Sequence, residues 1–167
     1  MEMVSEVEGI ERIRFTSPHP KDYPEKLIDV VARNKKACKQ IHLPVQSGST
    51  EVLERMNRGY SREWYLDRIH AIHKYLPEAA ISTDIMTGFC GETDKDHADT
   101  VSLMREVEFD FAYMFAYSER PKTRAERKFE DDISPETKQE RLAEIVAMQR
   151  EMNLRKLESK IGERYTY

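Results

Sequence analysis

"IHLPVQSGSTEVLERMNRGYS", residues 41–61, changes character partway along. Ile41, Leu43 and Val45 open it as an apolar run that reads as a buried strand. Gln46, Ser47, Gly48 and Ser49 follow, all small or polar. A helix then starts near Ser49 or Thr50, with Val52, Leu53 and Met56 on its apolar side and Arg55 and Arg58 among its charges. Hydroxyls and free N–H groups at a strand-to-helix turn suit phosphate, ribose or carboxylate. An ordinary helix N-cap accounts for the same residues.

The flanking segments repeat the pattern. Residues 11–16, "ERIRFT", alternate charged and apolar side chains and predict a strand, stopped by the prolines of "SPHP". "YPEKLIDVVARN" predicts a helix with Pro24 in its first turn, and residues 62–76 predict another, ended by Pro77. "AAISTDIMTGF" is a continuous run of apolar and small residues, as in a strand buried on both faces. A helix capped by Thr93 or Asp94 follows, then "FDFAYMFAYS" as a strand with Phe111, Tyr113, Phe115 and Tyr117 on one face. The order is β-α-β-α(α)-β-α-β, which implies parallel strands joined by helical crossovers.

Residues 120–132 read as a charged, poorly periodic loop, with Asp131 and Asp132 solvated. The last long helix is capped by Ser134, has Pro135 at its first position and stops at Gly162. At about 1.5 Å per residue it would run roughly 40 Å, enough to lie along the outside of a barrel. Four strands are too few to close a parallel barrel, which takes about eight. Residues 1–10 form a poorly defined lead-in, and "ERYTY", residues 163–167, hints at the first strand of another domain. A piece of a larger enzyme is expected.

Composition narrows the function. The 167 residues carry 39% hydrophobic and 35% charged side chains, and the net charge of −4 makes no overall electrostatic demand for nucleic acid. No apolar run is long enough to cross a membrane, and no signal peptide is recognisable. Cys38 and Cys90 have no CxxC spacing, so neither a disulfide framework nor a zinc site is expected, and a reducing cytoplasm is the natural compartment.

In strand-helix proteins, ligands bind beyond the carboxyl ends of the strands. Four stretches fall there. His19 sits in the "SPHP" turn, where a structural or solvated histidine is the plainer alternative. Residues 46–49 form the turn already described. Asp84 lies just ahead of Gly88-Phe89-Cys90-Gly91-Glu92, whose glycines let the backbone approach a ligand closely, or merely make a tight turn. Arg120 and Thr123 follow the last strand, and Arg58 ends the short helix, where it can turn back towards the site. None of these is GxGxxG or a Walker loop.

"RIRFTSPHP", "IHLPVQSGSTEVLERMNRGYSREWYLDRI", "STDIMTGFCGET" and "FAYMFAYSERPKT" together resemble the tRNA methylthiotransferases of the radical S-adenosylmethionine superfamily, and most of all the MiaB-type. The resemblance covers residues 12–162. It implies an α/β fold, a partial (β/α) TIM-like barrel, of which this chain is the C-terminal four strand-helix units ending in a long helix. Residues 163–167 would then enter an RNA-gripping TRAM domain. The family has Pro where Cys90 stands and Gly where Lys122 stands.

The same resemblance implies the chemistry. The whole enzyme would bind S-adenosylmethionine and two 4Fe-4S clusters and add a 2-methylthio group to isopentenyladenosine in the tRNA anticodon loop. Gln46, Ser47, Ser49, Arg58, Asp84, Gly88 and Phe89 are then the cofactor-binding candidates, and His19, Arg120 and Thr123 the substrate-binding ones. The CxxxCxxC cluster loop is missing from the chain, so it is expected to hold no metal and to be inactive alone. Its cut barrel is expected to self-associate through an exposed sheet edge. The open alternatives are a methylthiotransferase for threonylcarbamoyladenosine or for ribosomal protein S12, a non-catalytic S-adenosylmethionine or tRNA-binding module, and an unrelated α/β enzyme using His19 and Asp84.

Overall fold

A computed structural model describes residues 1–16 and 19–164. Three parallel strands, β1 (Gln40–His42), β2 (Ala80–Thr87) and β3 (Phe111–Ala116), form one sheet in sequence order. The helices are α1 (Glu2–Ser5), α2 (Glu25–Arg33), α3 (Thr50–Arg55), α4 (Arg62–Tyr75), α5 (Asp94–Val107), α6 (Arg124–Lys128) and α7 (Pro135–Ser159), with a 3-10 turn at Pro20–Asp22. No helix among the described residues is long and apolar enough to cross a membrane.

The helix limits follow from local chemistry. Ser49, Ser61, Thr93, Thr123 and Ser134 each accept an N–H of the first turn that follows. Thr93 and Asp96 form a reciprocal capping box. Pro135 opens α7 as expected, whereas α6 lies in a stretch that has no helical period. Five residues held by a Thr cap need no such period.

Side-chain alternation splits the sheet into two faces. Ile41, Leu43, Ile81 and Ile85 point into the helical layer, where Ile28, Val31, Leu53, Tyr65, Ile72, Leu103 and Ile145 bury them. The other face carries His42, Asp84, Met86 and the half-exposed Phe111, Tyr113 and Phe115. Leu43 and Ile85 therefore do not contribute to the open inner face of a cut barrel, because strand period two sends them to the opposite side. The open face is made by the aromatics of β3.

The strand expected over residues 11–16 reduces to one bridge, Ile13 to Ala37. The Ile13 N–H donates to the Lys36 carbonyl at 2.7 Å and its carbonyl accepts from the Cys38 N–H at 2.9 Å. Alternation specifies an extended chain, but a strand also needs a neighbour along its length, and only Ile13 meets one. The fold class stands, with three strands rather than four among the described residues. The Ser17-Pro18 half of the "SPHP" turn and the end of "ERYTY" lie outside the described residues.

Candidate functional site

At the carboxyl end of β1 the backbone does something a strand does not. Gln46 adopts φ +78°, in the left-handed region disfavoured for any side chain. Neighbours hold it there. Its N–H donates to the Asp84 carbonyl at 2.9 Å and its carbonyl accepts from the Met86 N–H at 2.8 Å. Just before it, the Tyr60 hydroxyl lies 3.1 Å from the Pro44 and Val45 carbonyls, and Arg58 bonds both Tyr60 (3.0 Å) and the Pro44 carbonyl (3.1 Å). The Gln46 side chain lines the open face.

Three strand ends meet there. A cavity of about 380 Å³ is lined by Gln46, Asp84, Met86, Phe115, Arg120 and Thr123. An adjoining one of about 290 Å³ shares Gln46, Met86 and Tyr117 and adds Arg55, Arg58, Phe89 and Arg124. Phe89 packs edge-on against Tyr117 at 5.0 Å and forms the apolar wall. Burial, then the neighbouring Cys90 thiol, push the Tyr117 phenol up to about 12, so it stays protonated at neutral pH. One carboxylate, one amide and four guanidinium groups around an apolar wall suit a zwitterionic ligand with a flat ring and hydroxyls.

The other sequence candidates lie apart from these cavities. Ser47 is fully buried, its hydroxyl 3.3 Å from that of Thr100 on α5. Ser49 is nearly so; it caps α3 and donates to Asp96. Burial would raise the Asp96 carboxyl, but Ser49, Thr93 and Arg55 outweigh it and hold it low. These serines tie the turn to α5. Gly88 has φ +70° and accommodates Lys138, whose Cγ would lie 2.3 Å from an added Cβ. His19 caps the 3-10 turn and meets Tyr60 edge-on at 5.5 Å; partial burial, then Arg58, lower its imidazole. Asp131 and Asp132, expected to be solvated, bond the Lys138 ammonium and the Gly91 N–H.

Sequence reasoning missed a second constellation. His42 Nδ1 lies 3.0 Å from the Ser82 hydroxyl and its Nε2 3.3 Å from Asp84, with Tyr113 edge-on at 5.8 Å. With Arg14, Phe15 and Gln40, the residues His42, Ser82 and Tyr113 line a cavity of about 600 Å³ at the amino end of the sheet, and Asp84 lies between it and the carboxyl-end cavity. Period two puts His42 on one face with Gln40, and Ser82 with Asp84, but the pairing that brings the two segments together is not written in either.

S-adenosylmethionine fits the carboxyl-end cavities by donor set. An iron–sulfur cluster does not fit this chain: Cys38 and Cys90 are free, and no group of three or more His, Cys, Asp or Glu suited to a metal occurs among the described residues. The adverse backbone at Lys122, φ +69°, falls where the resemblance places glycine.

Known proteins share this architecture. The description "Radical SAM superfamily" matches residues 1–104. A protein of Homo sapiens named mitochondrial tRNA methylthiotransferase CDK5RAP1 is 47% identical over 162 residues, 97% of this chain and 27% of that protein. The tRNA-2-methylthio-N(6)-dimethylallyladenosine synthase of Prosthecochloris aestuarii is 52% identical over 149 residues, 89% of this chain and 34% of the relative. The chain thus spans about a quarter to a third of the length of these relatives. The solved coproporphyrinogen III oxidase of Escherichia coli, described as a radical SAM enzyme, superposes with a TM-score of 0.67 over 81% of this chain and 31% of that one, at 22% identity, a likeness of fold alone. With a parallel α/β sheet whose strand ends gather Gln46, Asp84 and Arg120, and with most of its length matched, the chain belongs to the radical SAM superfamily.

Proposed function

We propose that the chain is the cofactor- and substrate-facing part of the barrel of a tRNA methylthiotransferase that adds a 2-methylthio group to isopentenyladenosine in the anticodon loop. The observation that carries this reading is the convergence of Gln46, just past β1, Asp84, in the carboxyl half of β2, and Arg120, in the loop after β3, on one cavity. The names and identities of the relatives support the substrate.

Each residue does simple work. Asp84, an acceptor, takes hydroxyl hydrogens of the ligand, and Gln46 can both donate and accept. Arg58, already ordered by Tyr60 and the Pro44 carbonyl, offers its remaining donors to a carboxylate. Phe89 and Tyr117 exclude water from the ring side. Ser47, Ser49 and Gly88 serve the cofactor by fixing the two turns that shape the cavity. Arg120 and Thr123 face the substrate side, and His19, apart from the cavities, packs on Tyr60, which holds the Pro44 and Val45 carbonyls ahead of Gln46. S-adenosylmethionine, when bound, supplies the radical and the methyl group. The cluster cysteines belong to parts of the enzyme outside this chain, and no step here runs through them. The compartment is reducing, cytoplasmic in a bacterial setting, and the chain alone self-associates.

The test uses the full-length enzyme with its iron content measured. Arg58→Ala or Asp84→Asn should weaken S-adenosylmethionine binding by about ten- to a hundredfold, the loss of a charge-assisted bond. Mass spectrometry of tRNA nucleosides should show methylthio product from isopentenyladenosine and none from threonylcarbamoyladenosine. Two variants that bind the cofactor like the parent would place the pocket elsewhere, and the opposite product would move the enzyme to the sister activity.

A further inference from the structure

The chain is acidic overall, with a net charge of −4, yet one short segment is not. Residues 119–130 carry Arg120, Lys122, Arg124, Arg127 and Lys128, all exposed. None of these five side chains forms an ion pair among the described residues, although eleven such pairs occur elsewhere in the chain. The nearby Glu126 carboxylate accepts the Lys122 backbone N–H instead.

The segment is ordered by its own hydrogen bonds. The Thr123 hydroxyl donates to the Arg120 carbonyl at 2.9 Å and accepts the Glu126 N–H at 3.3 Å, setting the turn that leads into α6. Lys122 stands in left-handed backbone, so the turn presents a cation at a position suited to glycine. Unpaired cations gathered on a fixed turn repel one another, and an anionic partner removes that repulsion.

The neighbouring surface says which anion. Arg120 and Arg124 reach the rims of the two carboxyl-end cavities, and Phe115 lines the first of them. Phe111, Tyr113 and Phe115 succeed one another along β3 with half their surface open, Phe111 and Tyr113 in edge contact at 4.8 Å. A basic track beside a row of exposed rings is the surface on which unpaired nucleic acid binds, phosphates on the cations and bases on the rings. A folded duplex offers phosphates but hides its base faces.

We infer that the segment 119–130, together with Phe115 at the mouth of the carboxyl-end cavity, forms the entry surface for an unpaired RNA segment. Lys122, Arg127 and Lys128 hold its phosphates, and Phe115 stacks a base at the mouth of the cavity. This rests on the proposed tRNA substrate and assigns the surface that receives it.

The experiment measures, in the full-length enzyme, the affinity for a labelled anticodon stem-loop RNA across a KCl series. Replacing Lys122, Arg127 and Lys128 together by Gln should lower the slope of log K against log salt by about 2, since each single-strand phosphate contact contributes roughly 0.7. The charge-keeping triple Lys122→Arg, Arg127→Lys, Lys128→Arg should retain the parent slope. Removing as many exposed cations elsewhere, with Lys26→Gln, Lys35→Gln and Arg150→Gln, should also retain it. Phe115→Leu should weaken binding by about five- to a hundredfold at unchanged slope. Unfolding curves confirm that each variant is folded. A Gln triple with the parent slope, or equal affinity for a blunt RNA duplex, overturns the inference. If the parent binds no RNA but still cleaves S-adenosylmethionine, the inference fails and the superfamily chemistry stands. A parent inert to both overturns the proposed function as well.

Discussion

Arg141→Met tests the clamp that holds the turn beside the cavity. Arg141, on the second turn of α7, donates to the Glu92 carboxylate at 2.8 Å and to the Glu92 carbonyl at 3.1 Å. Glu92 is 3% exposed and Arg141 7%. The same carboxylate accepts the Gly88 N–H at 2.8 Å, so the pair fixes the turn that carries Phe89. The second contact of Arg141, to Asp94, carries little weight, because that carboxylate is fully exposed. Met keeps an unbranched apolar stem and removes the guanidinium, its charge and its donors together. Glu92 is then left buried with a single N–H, and breaking such a pair costs about 3–5 kcal/mol. Against a total stability of roughly 5–15 kcal/mol, that is a large fraction. With an m-value near 2 kcal/mol per molar, the urea midpoint should fall by about 2 M. Emission of Trp64, the single tryptophan, reports the transition.

The pH dependence supplies the discriminating result. Burial already pushes the Glu92 carboxyl up, with the Gly88 N–H and Arg141 opposing it. Without Arg141 it rises further. A folded-state value raised above the unfolded one means that the folded chain binds the extra proton. The associated stability is present below the unfolded value and is lost as pH rises through the folded value. The deficit of the variant should therefore be smaller at about pH 5 than at about pH 8, and adding Glu92→Gln should recover much of it. A deficit under about 1 kcal/mol that is the same at both pH values would refute the clamp.

Asp96→Asn should cost about 1–2 kcal/mol at neutral pH by weakening the cap of α5 and the tie to Ser49. Its depressed carboxyl stabilises the fold above the unfolded value near 3.9 and loses that contribution as pH falls through the folded value, so the difference should vanish in acid. Reconstituted anaerobically with iron and sulfide, the 167-residue chain should bind no four-iron cluster, because two cysteines cannot ligate one; charge-transfer absorbance with near-stoichiometric iron would show otherwise. Light scattering of the isolated chain should show a dimer or larger species, and Tyr113→Lys should shift it towards monomer by charging the open aromatic face. A parent that stays monomeric at high concentration would mean that this face is self-sufficient.

The local grammar of the fold was legible in the chain. Thr93 and Ser134 before apolar periods announced helices, and Pro135 marked the start of α7, because caps and first-turn prolines act within four residues. The buried run of β2 and the aromatic alternation of β3 announced strands for the same reason. What tertiary structure decided is which groups of a motif face the open side. Ser47 and Ser49 belong to the same polar turn as Gln46, yet they face α5. The left-handed turn at Gln46 sends its own side chain to the cavity, and that backbone angle is imposed by Tyr60, Asp84 and Met86 from other elements. Nor could alternation alone make a strand of residues 11–16, since a ladder needs a partner that sequence does not supply. His42 meets Ser82 and Asp84 only through the register of β1 on β2, and a pairing set by the packed helical layer has no local signature in either segment.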